Sequence, residues 1–444
     1  MTNVNPAAKS LNDQLEKNAP ALASMLSQYA RKLYFPKGII TQTQEAKEHG
    51  CRYNATVGIA LEKGVPMHLP CLGKQFNQEI SPEELYPYAP ALGIKALRDL
   101  WKKKIGRQNP SLPKEAFSTP IVTQAISHGL ALAADLFMNE GDVVILPDKF
   151  WGNYRLSWEL KMGVHFDIYP FFDSALHHLN LEAFSEKLEV HKGKKQIIIL
   201  NFPNNPTGYT PSQEEATKLL DQIRKYAELG SRMVVLCDDA YYGLTYERSC
   251  LQESFFASLS QVHENVLAIK MDGSTKEAFT WGFRIGFLSF GSKNASQETY
   301  AILDQKVAGA IRATISSASL PMQTIVQRAF SDPDFASEQK GKYALLKERY
   351  QEAKKMAELP RYSSNWQIYP FNSGYFMCLR LRGVNAEDLR LHLIKTESLG
   401  TISSGETDLR IAFSCVEKED IQTVYEKVAR GVEFLQKNRA EVGK

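Results

Sequence analysis

Lys276 closes a short segment, Asp272-Gly-Ser-Thr-Lys276, that follows the apolar run Val266-Leu-Ala-Ile-Lys, and Trp281-Gly-Phe-Arg284-Ile-Gly286 lies just beyond it. A lysine at a strand end is ordinarily a solvated surface residue. Set among apolar groups and other cations it behaves differently: its pKa falls, and the neutral amine can attack an aldehyde or take up a proton. Two further loops carry unusual residues. After Ile197-Ile-Ile-Leu comes Asn201-Phe-Pro-Asn-Asn-Pro-Thr-Gly208, which on its own is a loop rich in turn formers. After Met233-Val-Val-Leu-Cys comes Asp238-Asp239-Ala240-Tyr241-Tyr, which on its own is equally a capped turn.

The elements that must position these loops are short strands separated by helices. Pro120-Ile-Val-Thr, Asp142-Val-Val-Ile-Leu, Ile197-Ile-Ile-Leu, Met233-Val-Val-Leu-Cys and Val266-Leu-Ala-Ile-Lys are continuous apolar runs, the pattern of strands buried on both faces of a largely parallel sheet. Periodic stretches such as Ser212 to Leu229 supply the covering helices. Ligands of such sheets sit beyond the carboxyl ends of the strands, where the three loops lie. A charged helical segment from about Asp334 to Leu359 leads to strands at Tyr375-Phe-Met-Cys-Leu and Leu409-Arg-Ile-Ala-Phe, with a last helix from about Lys418 to Asn438. Residues 1–60 read as an arm, partly helical, with an apolar patch at Leu22, Met25 and Leu26, together with part of a small domain. Residues 61–325 are expected to form a large domain, and residues 326–444 a small α+β one.

In order and approximate spacing the three loops resemble the pyridoxal 5'-phosphate (PLP) aminotransferases of fold type I, the aspartate aminotransferase family. The likeness runs over nearly the whole chain and is weakest in the first fifty residues. It implies an α/β fold with a mostly parallel central sheet and a smaller α+β domain. By resemblance, Lys276 holds PLP as a Schiff base and later shuttles the substrate proton. Asp238 is the carboxylate on the pyridine nitrogen, chosen over Asp239 because a small residue, Ala240, then precedes Tyr241. Tyr241 and Asn205 hydrogen-bond the cofactor's phenolic oxygen, and Trp151, in Pro147-Asp-Lys-Phe-Trp151-Gly-Asn, stacks on its ring.

The same resemblance assigns the phosphate to Ala125, Ile126 and Ser127 at a helix start, in Thr123-Gln-Ala-Ile-Ser127-His-Gly, and to Arg284. A serine common in relatives three residues before the lysine is Gly273 here, so Ser274 or Thr275 stands in, or one contact is missing. Tyr88 resembles a tyrosine that reaches the phosphate of a neighbouring subunit, which implies a homodimer with shared sites. Arg410 occupies the position of the arginine that grips the substrate α-carboxylate, a planar fork matched to a carboxylate. An arginine within an apolar strand is costly unless paired, which argues independently for a binding role. Gly58 resembles the glycine that closes over the same carboxylate. Arg312, in Ile311-Arg312-Ala-Thr-Ile-Ser316, aligns with a partner-subunit arginine for a distal carboxylate, and is equally a helix-surface residue.

The expected activity is transamination between an L-amino acid, with aspartate, another dicarboxylic or an aromatic amino acid as candidates, and a 2-oxo acid, 2-oxoglutarate foremost. A PLP-dependent lyase of the C–S β-lyase or aminocyclopropane-carboxylate synthase type is the alternative, since motif residues do not encode the fate of the substrate. Composition narrows the rest. With 43% apolar and 23% charged residues, the 444-residue chain should fold nearly throughout. Its net charge of +3 comes from 53 basic and 50 acidic residues interspersed, which argues against nucleic acid as a partner. Six scattered cysteines with no Cys-x-x-Cys pair are read as reduced and structural, and no metal is expected. With no signal-like or membrane-spanning run, the expected location is the cytoplasm.

Overall fold

Seven strands carry the residues singled out above. In the computed structural model, which describes residues 5–36 and 38–442, they are β1 (Ile121–Gln124), β2 (Val143–Pro147), β3 (His165–Tyr169), β4 (Lys195–Asn201), β5 (Arg232–Asp238), β6 (Val266–Gly273) and β7 (Ile285–Gly291). They form one sheet in the order β1-β7-β6-β5-β4-β2-β3. Pairing is parallel from β6 through β5, β4 and β2 to β3, while β7 runs antiparallel to both β1 and β6. The carboxyl ends of β1, β4, β5 and β6 and the start of β7 therefore share one edge.

The apolar runs are continuous because both faces are covered. On β4, Ile198 and Leu200 enter one core cluster and Ile197 and Ile199 the other; on β5, Val235 and Cys237 divide from Val234 and Leu236 in the same way. The helix Gln213–Glu228 covers one face. Its start is fixed by a capping box, in which Ser212 and Glu215 satisfy each other's backbone N–H groups.

The second sheet comprises β8 (Trp366–Ile368), β9 (Phe376–Leu381), β10 (Ile402–Ser404) and β11 (Asp408–Ala412), antiparallel in the order β8-β9-β11-β10. The long helices Phe335–Ala357 and Ile421–Val442 pack on it. The chain before the large sheet joins this body. Tyr53–Asn54 pairs in parallel with Leu399–Gly400, Gln42 exchanges hydrogen bonds with the backbone of Ser403, and Glu45 meets Arg390 at 2.6 Å. Leu22 and Met25, by contrast, lie exposed on the helix Pro20–Met25.

Among the connections that tie the bodies across the shared edge, two lie close to the loops singled out above. Gly208, at a φ of +74°, runs so close to the second sheet that an added Cβ would lie 2.0 Å from the Phe376 carbonyl oxygen. Lys149, just before Trp151, reaches Asp408 at 2.8 Å and Asp148 at 3.1 Å. Among the described residues no helix is long and apolar enough to cross a membrane, and no group of His, Cys, Asp and Glu is arranged to hold a metal ion.

Candidate active site

At the shared edge lies a cavity of about 270 Å³ whose lining includes Lys276, Asp238, Arg284, Arg410, Asn205 and Trp151. Gly58, Ala125, Ile126, Ser127, Tyr241 and Thr275 complete the expected residues that reach it. The two others do not line it. Tyr88 is 92% exposed, and Arg312 lies exposed on the helix Gln297–Thr314, donating through Nη1 to Ser316 Oγ at 3.2 Å.

Lys276 sits on the single turn Ser274–Glu277 that follows β6. Its Nζ donates to the Gly58 carbonyl at 3.0 Å and lies 5.2 Å from the centroid of the Tyr241 ring. Burial lowers its pKa to about 8, with Arg284 and Arg410 pushing the same way and Asp238 opposing them. The amine is thus partly neutral near physiological pH, as a nucleophile or proton acceptor must be.

Asp238 ends β5. Burial raises its carboxyl to about 6, although Tyr154 Oη and the Ala240 N–H both donate to it. The carboxyl is built to meet a cation: it is buried, hydrogen-bonded on both oxygens and turned into the cavity. Asp239 turns the other way, onto Lys270. The expected choice of Asp238 over its neighbour is therefore the one whose side chain reaches the site.

Opposite Lys276, the helix Ala125–Phe137 begins at the cavity wall. Ala125 takes a φ of +60°, and its N–H donates to the Arg284 carbonyl, so the first turn is pinned to the residue before β7. Gly286 permits this approach: a Cβ there would lie 2.6 Å from the Ala125 carbonyl carbon and 2.8 Å from the Ile126 nitrogen. Free N–H groups of a first turn beside a guanidinium form an anion seat. Thr275 Oγ is buried at this cavity without a hydrogen-bond partner, whereas Ser274 Oγ is taken by Thr280 at 2.7 Å. Of the two candidates to replace the contact missing at Gly273, the threonine faces the cavity.

Arg410, on β11, is 1% exposed. Nη1 donates to Asn205 Oδ1 at 3.1 Å, Nη2 donates to the Thr56 carbonyl at 2.6 Å, and Nε has no hydrogen-bond partner. Its guanidinium carbon lies 4.1 Å from the centroid of the Phe376 ring. Among the described residues no carboxylate neutralises it, so this buried cation is open to an anionic ligand.

Four liners carry no role expected from the sequence: Ile39, Asn201, Ala240 and Phe376. Tyr154 was missed. Its ring stacks on Trp158 at 4.7 Å and meets Trp151 edge-on at 5.6 Å while its hydroxyl holds Asp238. Tyr154 and Trp158, four residues apart, lie on the helical segment that follows Trp151, and that aromatic spacing was the available signal.

A family model, aminotransferase class I and II, matches residues 58–428. The chain belongs to this family. Its members use PLP, and the residues present fit that cofactor: an anion seat with an unpaired threonine hydroxyl, an amine of lowered pKa, a buried carboxyl and an aromatic wall. Aspartate aminotransferase of Bacillus sp. (strain YM-2) is 31% identical over 203 residues, 45% of this chain and 47% of that protein. Aspartate aminotransferase of Sulfurisphaera tokodaii is 25% identical over 366 residues, 78% of this chain and 82% of that protein. In fold, an aminotransferase from Anaerococcus prevotii superposes with a TM-score of 0.80 over 91% of this chain and 98% of that one, at 22% identity. The mostly parallel α/β architecture expected from the sequence is the one this aminotransferase shares.

Proposed function

We propose that the protein is a PLP-dependent aminotransferase that moves an amino group between an L-amino acid and a 2-oxo acid. The observation that carries this reading is the convergence of Lys276, Asp238, Thr275, Arg284 and Arg410 on one cavity, with buried donors at both ends left without partners. Those two ends have the chemistry of a phosphate seat and a carboxylate seat, with the amine between them.

Ala125, Ile126, Ser127, Thr275 and Arg284 would hold the phosphate, and Trp151 would stack on the ring. Asp238 would ion-pair with the ring nitrogen, kept in place by Tyr154, while Tyr241 and Asn205 would hydrogen-bond the phenolic oxygen. When bound, PLP supplies an electron-accepting ring that stabilises negative charge developing at the substrate Cα. Arg410 and Gly58 orient the amino acid by its α-carboxylate. Lys276 Nζ, once free, removes the Cα proton and returns it on the far side of the transfer.

Aspartate and 2-oxoglutarate are the foremost substrates of this reading, and the names of the two relatives support aspartate. The distal carboxylate of either would need a cation beyond the three already committed in this chain's cavity. Arg312 of a second copy would provide it, and Tyr88 would reach the second copy's phosphate. The protein is accordingly read as a homodimer with shared sites, residues 1–60 forming the arm and part of the small domain, 61–325 the large domain and 326–444 the rest of the small one. Six cysteines without disulfide partners support a reducing, cytoplasmic setting.

The test is direct. PLP-loaded protein treated with borohydride should carry the cofactor on Lys276 by peptide mapping, and a donor amino acid should change the cofactor absorbance until a 2-oxo acid restores it. No label at Lys276 would overturn the cofactor assignment. Release of ammonia and pyruvate without an acceptor would replace transamination with the lyase reaction.

A further inference from the structure

Two consecutive carboxylates, Asp238 at the end of β5 and Asp239 just beyond it, point in opposite directions. Asp238 lines the cavity; Asp239, 5% exposed, faces a polar cluster behind the strand ends. There Asp239 Oδ2 accepts from Ser254 Oγ at 2.6 Å and from Nζ of Lys270, a fully buried residue of β6. The same ammonium lies 3.4 Å from Asp272 Oδ2 and 4.5 Å from the centroid of the Tyr242 ring. Asp272 Oδ1 accepts the Trp101 indole N–H at 3.0 Å, and the Asp239 N–H donates to the Met271 carbonyl at 2.9 Å.

A lysine without solvent contact is costly to bury, and an apolar residue of similar volume would serve packing as well or better. Its place here is explained by what an unpaired Asp239 would do next door. Two adjacent buried carboxylates oppose each other's ionisation, and an Asp239 held by the Ser254 hydroxyl without a cation beside it would press its charge on Asp238. We propose that Lys270 is a positioning residue that selects Asp238 over Asp239 as the carboxylate presented to the ring nitrogen of PLP. It ties Asp239 behind the sheet edge and offsets its charge, so that Asp238 ionises. The proposal rests on the role given to Asp238 above.

The groups that face Asp238 come from four elements. Tyr154 and the Ala240 N–H donate to its carboxyl, Asn201 of β4 binds its backbone carbonyl, and Cys237 of β5 and Asp239 beyond the strand flank it. Lys276 and Tyr241 act on it through space. Lys270 is the cation behind Asp239, as Lys276 is the cation on the cavity side.

Two substitutions should move Asp238 in opposite directions. Infrared titration of the carboxyl bands in PLP-free protein, with Asp238→Asn as the blank that locates the band, reports its midpoint without any turnover. Lys270→Met should raise that midpoint by about half a pH unit or more and weaken PLP binding at least threefold. Asp239→Asn, which keeps Lys270 paired with Asp272 and conserves shape, should lower it, so the proposal stands testable even if Lys270→Met does not fold. An unmoved midpoint in Lys270→Met, or an unmoved or raised one in Asp239→Asn, would overturn the role of Lys270. If Asp238→Asn bound PLP as tightly as the unchanged protein, the role of Asp238 itself would fall, whatever the infrared bands did.

Discussion

Lys276 and Asp238 each carry a cost in the ligand-free cavity, and both costs are measurable. The Lys276 amine, lowered to about 8, should make PLP capture by ligand-free protein accelerate with rising pH through that midpoint; a stopped-flow profile flat across the range would refute a neutral-amine attack. Asp238 has its folded-state value raised from 3.8 to about 6. A raised acid stabilises the fold only while protonated: the benefit is complete below the unfolded value and is lost as pH rises through the folded one. Above that window the ionised carboxyl penalises the ligand-free fold by about 2–3 kcal/mol. Asp238→Asn should therefore melt higher than the unchanged protein at about pH 8 and converge with it near about pH 4, as thermal denaturation can check. Arg410→Lys keeps the charge but loses the planar fork, about 2 kcal/mol of differential binding, and should lower kcat/KM roughly 30-fold. These residues were legible because each has a chemical type and a fixed interval from the others. Tyr154 was not, since its partner Asp238 is 84 residues away and only the fold brings them together.

The elements that position the site were legible to the extent that they are buried on both sides. β4, β5 and β6 announced themselves as apolar runs because their apolar residues divide between two cores. β3, an edge strand that is buried fully only at Tyr169, and the short β8 and β10 gave no such signal. The junction between β7 and the helix Ala125–Phe137 was legible only as a glycine two residues after Arg284. The reason for it is the 2.6 Å that a Cβ would leave to the Ala125 carbonyl carbon. Gly286→Ala should push the helix start at Ala125 and Ile126, proposed above to hold the phosphate, away from Arg284 at a cost of about 1–3 kcal/mol. The expected readout is a dissociation constant for PLP raised roughly tenfold by fluorescence titration, with secondary structure unchanged by circular dichroism.

At the scale of the whole molecule, Lys149 joins the loop before Trp151 to Asp408 on the strand that bears Arg410. Among the described residues, Lys149→Met would leave Asp408, 5% exposed, with the neutral hydroxyls of Tyr369 and Thr407 as its side-chain partners. Breaking such a pair should cost about 3 kcal/mol in urea unfolding and raise KM for the amino acid more than it lowers kcat. Nothing in the sequence paired these two residues, because the contact exists only when both sheets are in place. Tyr88 and Arg312 show the complementary limit: their intervals suggested roles, yet both stand outside the cavity of their own chain. The unpaired donors at Thr275 and Arg410 also bear on the life of the protein in a cell. A cavity that gathers three cations and leaves buried polar groups without partners draws part of its folding free energy from whatever fills it. Steady-state abundance should then follow vitamin B6 supply through degradation rate, with pulse-chase half-life shortening when pyridoxine is withheld even though synthesis is unchanged.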